Sequence, residues 1–518
     1  MKGDFSRVRF NAANRFSRVL QQQGRVTLDA DGNEQTEILL HYLRTLARDL
    51  IGDYGGPIES GFSLELVDDK LLIGAGHYYV HGILCESGGC DYAEQPDYAP
   101  PAPDASGEGG DPLLAFLRSN TPNDDRFWIY LDVWERHVTF VEEPSLREVA
   151  LGGPDTCTRS KVVWQVKARA VEEISSALDA KQKALAKRIK QLKDSGGDPA
   201  TIAALEAKSA RIAAALAQLK DDPDNACAAP LEDYDDSDGR MAARLEKSAQ
   251  PKTPCIIAPD ARYRGAENQL YRVEIHTGGA AGVATFKWSR DNGSVLTSWL
   301  GTTGAGDLRV AEARGFVAGA WVELSDDARD LRGEPGVLVR ISKVDGDVLT
   351  VDAASKTAAA SIACNPALHA KVRSWDQTGD ALDGGVPLLA ANPAAWIDLE
   401  DGIEVRFAAD GTYRSGDYWL IPARVAGGAD GGIDWEDGTE QPPRSAEHHY
   451  APLGFVAWSS QDRRDAVIEA TSCLCTLRPL TPCQVVRARG VVPPGASVPQ
   501  RTGTSSTKKP KPKTKKHG

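Results

Sequence analysis

The 518-residue chain contains no run of about 18 apolar residues, which excludes a membrane-spanning helix. Its opening, MKGDFSRVRFN, is polar and has no apolar stretch of the kind a secretory signal needs, so synthesis in the cytoplasm is expected. There is no C-x-x-C pair, G-x-S-x-G elbow, P-loop or H-E-x-x-H motif. Gly74-Ala75-Gly76 lies between strand-like segments and opens no helix, so it is not a dinucleotide fingerprint. No internal repeat of fixed period is present. What is there is ordinary for a folded protein: 41% hydrophobic and 26% charged residues exclude wholesale disorder, and the length suits three or four structural units. Gly 49 and Pro 30 fit a turn-rich β protein.

The formal net charge is −13, and six lysines fall in the last eleven residues, leaving −19 on the rest. A body this acidic repels nucleic acid over most of its surface. The terminal KKPKPKTKK is Pro-interrupted and without apolar residues, and reads as a solvated, disordered tail. Nine cysteines cannot all pair within one chain, and C-x-C-x7-C over Cys473, Cys475 and Cys483 matches no zinc pattern. Reduced structural thiols are expected.

Residues 1–92 read as a helix-plus-strand module. From Asn33 the pattern is helical, with Ile38, Leu39, Tyr42, Leu43, Leu46 and Leu50 on one face and Gly52 at the end. GFSLELV alternates as a strand, and HYYVHGILCE reads as a second with Gly82 inside it. Residues 93–125 are a Pro/Gly-rich linker. In 126–170, RFWIYLDVWERHVTFVE alternates with apolar residues of both parities, so this strand is expected to be covered on both faces. Residues 171–220 have two helical periodicities around SGGDP, an inserted antiparallel helical hairpin with Pro199 near the start of its second helix. Residues 221–261 form an acidic loop. In 262–355, Asn292-Gly293 between apolar runs signals a β-hairpin, and WVELSDD, GVLVRISKV and DVLTVDA suit a small barrel or sandwich. Residues 356–490 form a second β module, and 491–518 the tail. The class is mostly β with α additions.

The chemical motifs are weak. Asp29, Asp31 and Asn33 imitate a calcium loop, but Glu34 and Leu40 occupy its required Gly and Glu positions, so a helix cap with first-turn acids is expected. The acidic run Asp233, Asp235, Asp236 and Asp238 fails the calcium-loop spacing. His77 and His81 lie on strand-like sequence with no third ligand in view. No cofactor, metal or catalytic set is assigned, and an enzyme is not expected.

The longest distinctive stretches are MKGDFSRVRF with VLQQQGRVTLDADGNEQ, YLDVWERHVTFVEEPSLREVALGGPDT, YRGAENQLYRVEIHTGG with ATFKWSRDNGSV, and TYRSGDYWLIPARV. With these the chain resembles an uncharacterised bacterial family encoded beside contractile injection systems, the phage-tail-like particles of sheath, tube and baseplate. Gly32 stands where that family usually has Trp, and His81 where it usually has Asp. The resemblance implies a structural or adaptor component, baseplate- or fibre-associated, present in several copies and incorporated into a particle after synthesis. Its partners would be other particle proteins. Residues 1–92 would attach it, with Phe5, Arg7, Gln22, Gln23, Arg25, Asp29, Asp31, Asn33 and Glu34 as candidate docking residues. The alternatives are a carbohydrate- or cell-surface-binding fibre protein and, behind it, a polysaccharide-acting enzyme.

Overall fold

The computed structural model describes residues 1–58, 61–68, 70–100, 110–119, 123, 125–196, 199–221, 227, 237–246, 263–377, 384–389, 395–425, 432–436, 438–459 and 467–477. The acidic-run residues Asp233, Asp235 and Asp236, Cys255, most of the Pro/Gly-rich segment and the lysine tail lie outside them.

The strand Arg126–Val138 organises the first half of the molecule. It pairs antiparallel with Arg159–Ala170 on one side and His449–Trp458 on the other, and Ile468–Ser472 completes the sheet. Its two parities go to two cores. Phe127, Ile129, Leu131 and Val133 pack with Phe62, Leu71, Tyr78, Leu113 and Phe116. Trp128 and Tyr130 pack under the helical pair α3 (Val171–Ser195) and α4 (Pro199–Asp221), against Ile174, Leu178, Ile212 and Leu216. Successive strand residues point to opposite faces, so an apolar run of both parities needs two covering layers. The helical insertion supplies one of them.

Within 93–125, Pro112–Leu117 forms the short helix α2, which follows α1 (Asp29–Ile51) in the chain and is capped by Asp111, with Leu113, Phe116 and Leu117 buried. Its apolar residues give that stretch a core role that a surface linker would lack. HYYVHGILCE is two strands, Gly76–Val80 and Ile83–Ser87, and not one. His81 and Gly82 both have positive φ, 49° and 78°, as a two-residue hairpin turn requires. His77 and His81 therefore lie on a strand and in a turn.

Asn292 and Gly293 also have positive φ, but the strands they separate do not pair. Thr285–Ser289 joins a five-stranded sheet through Gln269–Thr277, whereas Leu296–Thr302 enters a closed six-stranded barrel. The barrel encloses Trp299, Val322, Leu324, Val339, Ile341 and Leu349. A further sheet containing Met241–Leu245 and Ile403–Phe407 shares a core with the five-stranded one around Tyr271, Phe286, Phe407 and Trp419. The protein is thus mostly β, with an amino-terminal helix, a closed barrel and several antiparallel sheets. Met1–Leu477 forms one compact unit, and no helix among the described residues is long and apolar enough to cross a membrane.

Cys227 and Cys473 form a disulfide across 246 residues of sequence, which corrects the expectation of reduced thiols for this pair. The fold carries Cys227, beyond the end of α4, to the edge of the sheet beneath the helices. Cys85, Cys90, Cys157, Cys364 and Cys475 are free thiols. Burial pushes the Cys85 thiol up to about 12, which makes it inert. Closing so long a loop is worth about 5 kcal/mol in the chain-entropy picture. Cys227→Ser, or reduction of the native protein, is therefore expected to lower the thermal midpoint by several degrees. Differential scanning calorimetry with and without reductant checks this.

A charged cavity and an uncovered helix

The amino-terminal arm connects the two features that stand out. Gly3 N–H donates to the Asn292 carbonyl, and Asn292 Nδ2 donates back to the Gly3 carbonyl at 2.9 Å. The left-handed turn at Asn292-Gly293 thus grips the arm instead of closing a hairpin. Phe5 lies edge-on to His137, with ring centroids 6.1 Å apart. The arm then reaches the helix α1 (Asp29–Ile51). Ser6 donates to Asp29 through both N–H and Oγ. Arg9 pairs with Asp31 at 3.2 Å and Glu34 at 3.6 Å, and Val19 N–H donates to Gln35.

Helix α1 begins at Asp29, four residues earlier than the periodicity indicates. Asp29 and Asp31 occupy its first turn, where the helix dipole favours them. The residue before the helix is Leu28, which offers no side-chain cap, so the predicted acidic cap is replaced by an arm–helix contact. Burial opposes the charge on Asp29, but the bonds from Ser6 outweigh it and hold its pKa below the usual value. Of the candidate docking residues, Asp29, Asp31 and Glu34 thus hold the arm on the helix. Phe5 packs edge-on against His137, itself a residue of the cavity wall. Arg7 lies on the arm and is half-buried, while Gln22, Gln23, Arg25 and Asn33 are exposed.

The helix sits lightly on the body. Ala30, Glu34 and Ile38 are its buried residues. Arg44 pairs with Glu135 at 3.0 Å, and its backbone rests on Gly82, where a Cβ would come within 2.4 Å of the Arg44 carbonyl. The rest of the apolar face is bare. Leu39, Tyr42, Leu43, Leu46 and Leu50 are 53%, 53%, 62%, 56% and 66% exposed. The leucines at 39, 43, 46 and 50 follow the alternating four- and three-residue steps of a helix-packing seam. Together the five side chains present on the order of 500 Å² of apolar surface, the size of patch that on a soluble protein is commonly functional.

A cavity of about 990 Å³ opens where the arm, the barrel, the five-stranded sheet and the strand Arg126–Val138 meet. Its wall carries ion-pair networks. Glu274 accepts from Arg272 at 2.6 Å and Lys2 at 2.9 Å, with Lys287 at 3.3 Å. Lys287 also pairs with Glu323, which accepts from Trp375 Nε1 at 2.9 Å and Gly336 N–H at 3.0 Å. In a second network, Lys371 contacts Glu142, Asp330 and Asp327, and Arg136 contacts the same three. In a third, Asp132 takes bonds from Lys167 at 2.6 Å and His448 at 2.7 Å, and Trp134 stacks on His448.

Glu142, Asp327 and Asp330 place carboxylate oxygens within 4.8 Å of one another, a spacing that would suit a cation. The Lys371 ammonium and the Arg136 guanidinium already serve that triad, so it needs no metal. Burial pushes Asp132, Glu142, Glu274, Glu323 and Asp330 toward the neutral acid, but the adjacent cations outweigh it and hold all five down. Such carboxylates suit a structural role better than a general acid, which needs a raised pKa. Glu142 and Glu323 are lowered to about 2 from an ordinary 4.5. A depressed carboxyl adds stability above its unfolded value and loses it as pH falls through the folded one. Each group therefore contributes up to about 3 kcal/mol at neutral pH. The urea midpoint is expected to fall steeply between about pH 4.5 and 2, as equilibrium unfolding across that range would show.

Periodicity gave no sign of the cavity, since it joins Lys2, Glu142, Glu274, Glu323 and Lys371 from distant parts of the sequence. The model of a family described only as a family of unknown function, DUF6519, matches residues 1–516, and the chain belongs to that family. No curated protein and no solved structure matches it.

Proposed function

We propose that this DUF6519 protein is a structural adaptor of a phage-tail-like contractile particle, docking on a baseplate or fibre protein through the apolar face of α1. The observation that carries the reading is the bare seam Leu39, Leu43, Leu46 and Leu50 with Tyr42, on a helix whose buried residues are Ala30, Glu34 and Ile38. A seam of this spacing is shaped to receive another helix or a groove. The choice of particle rests on the motif resemblance, which begins in the arm and the first turn of α1. Gly32 leaves the helix entry without the apolar side chain that the resembling family usually has there. It lies seven residues before Leu39, and a Cβ there would meet nothing within 4 Å. The Trp usual at this position in the resembling family would lengthen the stripe.

The test is mass spectrometry of gradient-purified contractile particles from the native host, with and without the gene. The reading requires the protein in fixed ratio to baseplate proteins. Particles that assemble, contract and never contain it would overturn the reading.

A further inference from the structure

We propose that the central cavity is a binding site for a small organic oxyanion, a molecule bearing a carboxylate or phosphate. The argument starts from charge. The chain is strongly acidic, yet eleven lysines and arginines line the cavity against eight carboxylates. The excess is local. Lys2, Arg272 and Lys287 share Glu274 and Glu323, and Arg373 lies with Lys2 against Gly293. Arg373 donates to the Gly293 carbonyl and has no carboxylate within ion-pair distance among the described residues. Arg272 and Lys287 are 4% and 2% exposed, and an excess of positive charge around such buried groups is costly, a cost that a bound anion would offset.

A second observation points to the same place. His137 lines the cavity, and its Nε2 is buried with no partner among the described residues. Burial, with Arg373 adding to it, lowers its pKa to about 3 and keeps the imidazole neutral. A neutral imidazole beside an uncompensated guanidinium offers an anion a further hydrogen bond alongside the guanidinium fork. At about 990 Å³ the space exceeds the needs of a simple ion and is at the upper end for small-molecule sites.

The test is isothermal titration calorimetry of the full chain with citrate and with inorganic phosphate, against sodium chloride at matched ionic strength. Saturable binding of either probe above the chloride baseline is expected, and which one binds separates a carboxylate ligand from a phosphate one. Arg373→Met is expected to weaken that binding at least ten-fold, while Arg373→Lys retains part of it. His137→Phe, which leaves every ion pair in place, is expected to weaken it several-fold and carries the test if Arg373→Met does not fold. Absence of saturable binding by both probes overturns the proposal. So does unchanged affinity in folded Arg373→Met, or in His137→Phe where Arg373→Met does not fold.

Discussion

Replacing Leu43 and Leu46 together by aspartate is expected to leave the protein folded and to remove it from particles. Both side chains are more than half exposed, so the fold loses little by the change. Surface substitutions usually cost within about 0.5 kcal/mol, and the lower helix propensity of aspartate adds a comparable amount. The thermal midpoint should therefore move by only a few degrees. At an interface the same change places two carboxylates in the middle of an apolar seam. Burying unpaired charge costs several kcal/mol, and 1.4 kcal/mol is already ten-fold in affinity. Incorporation, measured as the ratio of this protein to a baseplate protein in purified particles, should fall at least a hundred-fold. A matched pair of aspartates at Val283 and Val317, also exposed but far from α1 in sequence, should leave the ratio unchanged.

A large loss of stability is expected from Lys371→Met. The Lys371 ammonium is 4% exposed and is shared by Glu142, Asp327 and Asp330. Removing one member of a buried ion-pair network costs about 3–5 kcal/mol, because the opposite charges remain buried and uncompensated. Arg136 remains, but one guanidinium then faces three carboxylates. The sign of the pH dependence follows. In the parent protein Glu142 is held down to about 2 and stabilises the fold at every pH above its unfolded value. Without Lys371 much of that contribution is lost, and the buried carboxylates of the variant take up protons at higher pH. The gap in urea midpoint between the two proteins should be widest near pH 7 and close as pH falls toward 2. A gap independent of pH would mean that lost packing, not charge, accounts for the defect.

Local chemistry was legible in the sequence wherever neighbours in sequence decide it. The both-parity apolar run at Phe127–Trp134 required cover on two sides, and the fold supplies it with a core on one face and α3 and α4 on the other. The alternating segments of 321–351 are barrel strands. The turn at Asn292-Gly293 was readable as a turn, because positive φ is a property of two residues. Its destination was not, because strand pairing is chosen by distant partners. The same limit hid the cavity: Lys2 meets Glu274, and Glu142 meets Lys371, and no periodicity encodes such pairs. The disulfide was missed for that reason too. Helix α1 shows a different limit. Three- and four-residue spacing revealed an apolar face, but spacing cannot say whether the chain covers that face itself.

The central claim is that α1 is a contact surface in an assembled particle, and a photo-crosslinking amino acid at Leu43 tests it most directly. Irradiation of particles carrying it should give an adduct with one particle protein, and none when the same group replaces Val283. No adduct at position 43, or equal labelling at both positions, would contradict the claim.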